Sequence, residues 1–347
     1  MALCKVVVAK TGHLLLPDFE ERFNELRAIA PALTLELAED MASVLDRIPD
    51  AEGLVGDPTR EIIQVGRQLR WVQLTSAGVE HLIGVADRQA PTIPELLERD
   101  IVLTNAKQLF GPGIADHVFA FILAFTHGLK RALVTKWRIE QGAMDSEESY
   151  WELVCPESQT HFYHEALDGK TMLVIGMGGM GQAVARRAYG SGMRVVGIDA
   201  RDMPRPEGVD LLEPPDSLHR LLPDADFVVS CVPLTPETFG LLGAGEFELM
   251  KETAYLISVS RGRVVQTDAL VGALRGGEIA GAGLDVVDPE PLPNDHPLWM
   301  LENVIISSHR SSDDASPERL WTVVRENVRR FAAAEPLVNV VDKKAGY

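Results

Sequence analysis

Gly176-Met177-Gly178-Gly179-Met180-Gly181 follows an apolar run at Thr171–Ile175 and opens a segment with helical periodicity. Asp199 stands eighteen residues past Gly181, at the end of the next apolar run. Each part suits the holding of a dinucleotide. Gly176 permits a tight turn, Gly178 lets backbone approach a pyrophosphate, and Gly181 lets helix and strand pack closely. Gly179 and Met180 lie in the first helical turn, where unpaired N–H groups and the positive dipole end face phosphates. Asp199 would accept hydrogen bonds from the adenosine ribose hydroxyls and repel a 2′-phosphate, which favours NAD. Ala200 and Arg201 follow, and an Arg there can hold a 2′-phosphate, so NADP stays open. No Gly-Lys-Ser/Thr ending exists, so the motif is not a P-loop.

The elements that must position this motif alternate along the chain. Lys5–Ala9, Gly53–Val55, Trp71–Leu74 and Ile101–Leu103 read as strands, with amphipathic helices at Asp18–Ala30 and Met41–Ile48. A second series has strands at Thr171–Ile175, Arg194–Ile198, Phe227–Cys231, Tyr255–Ser258, Gly281–Leu284 and Val304–Ser307. Helices fall between them at Gly179–Tyr189, Gly245–Leu249 and Thr267–Gly276. Such βαβ alternation argues for α/β architecture with parallel sheets, and six strands at this spacing suit a doubly wound dinucleotide fold. Val118–Glu140 reads as one long helix between Pro112-Gly113 and Gly142. Residues 142–169 read as an extended loop, and a last helix at Pro317–Ala333 precedes a short tail that must pack on a larger unit.

Composition sets the outer bounds. At about 150 residues per domain, 347 residues predict two domains. Lys plus Arg number 33 against 51 for Asp plus Glu, a net charge of -18, which argues against a nonspecific nucleic-acid binder. The longest apolar stretch, Val118–Phe125, is far short of the roughly 20 residues a membrane span needs. Cys4, Cys155 and Cys231 are isolated, without metal or disulfide spacing. His161 and His164 have no third ligand nearby, so no metal site is expected. These features together suggest a cytoplasmic location.

Downstream of the glycines the chain carries Cys231-Val232-Pro233-Leu234-Thr235-Pro236-Glu237-Thr238, then Ser260-Arg261-Gly262. Gly283-Leu284-Asp285-Val286, Pro289-Glu290-Pro291 and Asn303-Val304-Ile305-Ile306-Ser307-Ser308-His309 follow in that order. Upstream stand Trp71-Val72-Gln73, Ser76-Ala77-Gly78-Val79 and Ala115-Asp116-His117. This ordered set resembles the D-isomer-specific 2-hydroxyacid dehydrogenases, most closely glyoxylate/hydroxypyruvate reductase-type members. The resemblance implies a Rossmann NAD-binding domain, residues 113–308, inserted in a flavodoxin-like substrate domain, residues 1–112 plus 309–347. It implies Arg261, Glu290 and His309 as a catalytic trio acting on a small 2-oxo or 2-hydroxy acid in a homodimer. Ser76, Ala77, Gly78 and Val79 would bind the substrate carboxylate through backbone N–H groups, with Arg261 on carboxylate and carbonyl. Cys231, Val232, Pro233, Ser260, Asp285 and His309 would line the cofactor pocket.

The residue types suit the chemistry. Reducing a 2-oxo acid needs a hydride from a nicotinamide and a proton, which an imidazole titrating near neutrality can deliver. Arg261 offers a planar fork of donors that matches a carboxylate better than Lys does. Departures from the family pattern bear on substrate. Ser308 and Arg310 flank His309 where Pro and a small residue are usual, Asp116 stands in place of Glu, and Phe110 replaces an often polar residue. Arg310 could meet a second anionic group of a more acidic substrate, or pair with Asp313 or Asp314. An NAD-binding scaffold that acts like a corepressor is the alternative from another class. A short-chain dehydrogenase is discounted, since no Tyr is followed four residues later by Lys.

Overall fold

The structure, a computed structural model, describes residues 4–10, 14, 16–84, 91–143, 165–313 and 316–347. Cys155, the His161/His164 pair and most of the 142–169 segment lie outside the described residues. The chain divides into two compact units. One comprises Met1–Phe110, Pro233–Phe239 and Ser312–Tyr347, the other Gly111–Val232 and Gly240–Ser311.

The first unit is built on a parallel sheet of order β2-β1-β3-β4-β5. Its strands are β1 (Cys4–Ala9), β2 (Leu33–Ala38), β3 (Gly53–Val55), β4 (Trp71–Gln73) and β5 (Val102–Thr104). This order is that of flavodoxin-like folds. Val7, Leu54 and Val72 face one buried layer, and Val6, Val8 and Trp71 face another. The Ser316–Ala332 helix supplies Leu320, Trp321, Val324 and Val328 to the second layer, with the Trp321 ring edge-on to Phe19 at 5.5 Å. Fully buried Asn327 donates to Gln73 Oε1 at 2.8 Å and accepts from the Val338 N–H at 2.8 Å, tying that helix to β4 and to the tail. The tail then continues the sheet edge, the Val341 N–H donating to the Leu103 carbonyl.

In the second unit a seven-stranded parallel sheet runs β12-β11-β10-β9-β6-β7-β8. The strands are β6 (Thr171–Ile175), β7 (Arg194–Ile198), β8 (Leu211–Glu213), β9 (Phe227–Ser230), β10 (Tyr255–Ser258), β11 (Gly281–Leu284) and β12 (Val304–Ile306). This is Rossmann order with a seventh strand added, and it reverses direction between β6 and β9. Strands buried on both faces must be apolar throughout, and Val228, Val229, Leu256 and Ile257 are all fully buried.

Two strands depart from the sequence reading, Leu33–Ala38 and Leu211–Glu213. Both sit on a sheet edge and are built mainly of Leu, Ala and Glu, with Thr34 the one β-branched residue, so their β-propensity is low. The expected single helix Val118–Glu140 is two helices, Gly111–Thr126 and Leu129–Glu140, bent by 69°. Gly128 breaks the run in the left-handed region, φ 62°. The unit boundaries also differ from those expected. Gly111 and Pro112 already belong to the second unit, because a Cβ on Gly111 would lie 2.8 Å from the Gly179 carbonyl oxygen, so helix packs directly on helix. His309, Arg310 and Ser311 also stay with the second unit, held there by Asp285. Among the described residues no single helix is long and apolar enough to cross a membrane.

A side chain at Gly128 would meet no atom within 4 Å, so only backbone conformation opposes it. Gly128→Ala should therefore lower unfolding free energy by about 1–2 kcal/mol, and Gly128→Asn by less. Denaturant midpoints measure this, and equal midpoints for all three proteins would contradict it.

Candidate active site

The glycine motif lies at the strand-order reversal, the place where doubly wound sheets bind ligands. Gly176 has φ 95°, and a Cβ there would sit 2.8 Å from the Cys231 carbonyl oxygen. On Gly181 a Cβ would reach within 1.9 Å of the Gly176 carbonyl oxygen, which explains the glycine at each end. Gly178 differs, because nothing lies within 4 Å of the position its Cβ would take. It caps the Gly179–Gly190 helix without a side-chain bond, so the first-turn amides of Gly179, Met180 and Gly181 edge an open cradle. That cradle fits the pyrophosphate of NAD(P), which these amides would hold.

Asp199 ends β7 with its carboxylate mostly buried. It accepts from the Met177 N–H at 2.8 Å, the Arg201 N–H at 2.9 Å and the Arg201 guanidinium at 2.9 Å. Burial opposes its charge, but the Arg201 and Met177 donors prevail and keep its pKa below the usual carboxylate value. Ala200 is exposed beside it. Cys231 is buried and its thiol is pushed up to about 12 by desolvation, so it serves the turn through its backbone and not as a nucleophile. Val232 packs near Gly176, while Pro233 accepts at its carbonyl from Thr238 Oγ1 at 2.6 Å. The Ser260 hydroxyl is 2.8 Å from that of Ser230, joining the ends of β9 and β10.

Arg261, Glu290 and His309 all belong to the second unit. Arg261 precedes the short turn Gly262–Val264, where a Cβ on Gly262 would lie 1.9 Å from the Val287 carbonyl oxygen. Only glycine permits that approach, and it fixes where Arg261 leaves the sheet. The Arg261 Nη1 donates to the Ser260 carbonyl at 2.8 Å. His309 Nδ1 is 2.8 Å from Glu290 Oε1, and both side chains are about two-fifths exposed. The His309 Nε2 makes no hydrogen bond among the described residues. His309 itself has φ 54°, unusual for a residue with a side chain.

What holds that backbone is Asp285, only 1% exposed. Its carbonyl accepts the His309 N–H at 2.8 Å. Its carboxylate accepts from Ser307 Oγ at 2.7 Å, the Arg310 N–H at 3.0 Å and the Ser311 N–H at 3.2 Å. Desolvation raises its pKa, but the Ser311, Ser307 and Arg310 donors outweigh it, so the carboxylate stays charged. His117, left unassigned by the sequence reading, is 2.8 Å from Ser307 Oγ through Nε2.

In the first unit, the Ser76–Val79 loop is held by its carbonyls. Asn105 Nδ2 donates to Ala77 at 2.6 Å and the Ala106 N–H to Ser76 at 2.9 Å. Asp57 anchors the preceding Thr75 through its N–H at 2.9 Å and its hydroxyl. Neither Asp57 nor Asn105 carries a motif signal, and only proximity in the fold connects them to this loop. The Ala77, Gly78 and Val79 amides find no acceptor among the described residues.

Comparison with known proteins accords with this geometry. The family model for the D-isomer specific 2-hydroxyacid dehydrogenase, NAD binding domain, matches residues 130–311. This chain belongs to that family. The dehydrogenase is 33% identical over 309 residues to a glyoxylate reductase of Korarchaeum cryptofilum, covering 87% of this chain and 86% of that one. Among solved structures, a family protein from Aeromonas salmonicida superposes with TM-score 0.76 at 28% identity, covering 99% of this chain and 100% of that one. One from Xanthobacter autotrophicus, in complex with NADPH and MES, superposes with TM-score 0.76 at 26% identity, covering 99% of each chain. The dehydrogenase is thus an NAD(P)-dependent oxidoreductase of the CH–OH group of 2-hydroxy acids.

Asp285 makes a stability prediction with a definite sign. Its folded pKa is depressed, so its contribution is present above the unfolded value near 4 and is lost as pH falls through the lower folded value. Asp285→Asn puts an amide donor against the Arg310 or Ser311 N–H and should cost about 1–3 kcal/mol at pH 7. The deficit relative to wild type should shrink below pH 4, and a pH-independent difference in thermal midpoint would refute the charge argument.

Proposed function

We propose that this dehydrogenase reduces a small 2-oxo acid of the glyoxylate or hydroxypyruvate class, with His309 as proton donor. The observation that carries the reading is the 2.8 Å His309–Glu290 pair, set on a backbone that the buried Asp285 clamps. Glu290 orients the ring through Nδ1, so Nε2 can protonate the carbonyl oxygen in reduction and take the proton back in oxidation. Arg261 binds carboxylate and carbonyl oxygens of the substrate. Bound NADH supplies the hydride. The charged carboxylate of Asp199 favours NADH over NADPH, even though Arg201 partly offsets it. Similarity to glyoxylate reductase supports a small substrate.

A second reading concerns Arg310. Asp313, one of its expected partners, pairs with Arg319 at 2.6 Å, Asp314 lies outside the described residues, and the Arg310 guanidinium makes no ion pair among the described residues. This leaves a cation one residue from His309 for a second carboxylate on the substrate.

Oxidation of NADH and NADPH with glyoxylate, hydroxypyruvate, pyruvate, phenylpyruvate and oxaloacetate distinguishes these readings. Turnover of glyoxylate or hydroxypyruvate, faster with NADH, is expected. A preference for oxaloacetate that Arg310→Ala abolishes would favour the more acidic substrate. Silence across the panel with NADH still bound would favour a scaffold. His309→Ala should lose about 10²–10⁴-fold in kcat/KM.

The Leu129–Glu140 helix buries Thr135 and exposes Leu129, Leu133, Val134 and Trp137. We assign that apolar face to a second copy of the chain, in a cytoplasmic homodimer. Light scattering should give twice the 38.0 kDa chain mass, and a monomeric mass would reject the assignment.

A further inference from the structure

We propose that His117 is a positioning residue for catalysis, acting on His309 through Ser307 and Asp285. The proposal rests on the reading of His309 as proton donor. His117 lies in the Gly111–Thr126 helix, far from His309 in sequence, and its ring is set edge-on to Phe121 with centroids 4.7 Å apart. Its Nε2 is 2.8 Å from Ser307 Oγ and 3.7 Å from Asp285 Oδ1, and Ser307 Oγ donates to Asp285 Oδ1 at 2.7 Å. A hydroxyl has one proton to give. Ser307 spends it on Asp285, so in the His117 bond it must accept, and Nε2 of His117 must carry hydrogen.

The result is a one-way chain of donors from His117 Nε2–H to the Ser307 hydroxyl to the Asp285 carboxylate. It ends on the same oxygen, Oδ1, that receives the Arg310 N–H at 3.0 Å. The other oxygen, Oδ2, receives the Ser311 N–H at 3.2 Å. The carboxylate plane is therefore set by Ser307 on one side and by the two amides after His309 on the other. Asp285 sets the direction of the Ser307 hydroxyl, and His117 braces it by occupying the lone pair behind it at 2.8 Å. If the hydroxyl turned away, Oδ1 would lose its side-chain donor, and the left-handed backbone at His309 would lose part of what holds it. The consequence falls on the aim of the imidazole and spares the groups that bind substrate. Arg261 is fixed separately, through Ser260 and the close approach of Gly262 to Val287.

The test uses the full-length enzyme with NADH and its best 2-oxo acid. His117→Leu and Ser307→Ala should each lower kcat by about 10–100-fold, the size of effect a slight misplacement of a catalytic group produces. The KM for the oxo acid and the Kd for NADH should hold. His117→Gln, which can still present an N–H to Ser307, should restore most of the lost kcat. The His117→Leu/Ser307→Ala double variant should lose no more than His117→Leu alone, because that change removes both the bond to Ser307 and the direct 3.7 Å approach to Asp285. Wild-type kcat in His117→Leu, failure of Gln to rescue, or additive losses in the double variant would each overturn the proposal. Should His117→Leu not fold, Ser307→Ala and His117→Gln decide it, since wild-type kcat in the former or a full loss in the latter has the same force. His309→Ala, run alongside, separates the two levels. If it stays active, the proton-donor reading falls. If it is inactive while His117→Leu is unaffected, only the role of His117 falls.

Discussion

A carboxylate taken almost wholly out of water anchors the segment that carries His309. Asp285 ends β11, a strand buried along its length, and solvent cannot stabilise its charge. Isolated, such a group would take up a proton. It remains charged because donors of Ser311, Ser307 and Arg310, from the stretch that carries His309, converge on it, with His117 adding a favourable field. Ionisation and loop conformation are thus one equilibrium. The amides of Arg310 and Ser311 need an acceptor in the interior, Asp285 needs donors, and meeting both requires the left-handed turn at His309. The exposed His309–Glu290 pair is a weak contributor to stability by itself and takes its geometry from this clamp.

The cofactor side of the second unit is built on the opposite principle, removal of side chains where atoms must approach. Gly181 lies against the Gly176 carbonyl, Gly262 against that of Val287 and Gly111 against that of Gly179. At each of these a methyl group would collide with backbone, which has no rotamer by which to move aside. Gly178, between Gly176 and Gly181, faces open space, which is the part of the motif that a ligand would use. Asp199 closes this region electrostatically, its charge held by Met177 and Arg201 at the end of the strand after the turn.

Much of this was readable from the chain. Thr171–Ile175, Arg194–Ile198, Tyr255–Ser258, Gly281–Leu284 and the Thr267–Gly276 helix stand where apolar runs and glycines place them. Buried parallel strands need continuous apolar sequence, so their signal is local and strong. Leu33–Ala38 and Leu211–Glu213 were missed because an edge strand gains its stability from one neighbour, and their sequences carry little of that dependence. The break at Gly128 was equally hidden, since a glycine within a helical pattern is often tolerated.

The sequence by itself determined the two doubly wound sheets and the glycine turn with its acid, while Arg261, Glu290 and His309 stood as candidates that the family resemblance implied. These are statements about residue type, order and spacing, and covalent continuity carries them. Tertiary structure alone decided which groups hold the site in shape. His117 reaches Ser307 across 190 positions, Asn105 and Asp57 support the loop around Ala77 from different connections, and Asn327 fastens the last helix to β4. Hydrogen bonds act over about 3 Å whatever the separation along the chain. No spacing rule announces such partners, and only the packing of strands and helices brings them within reach.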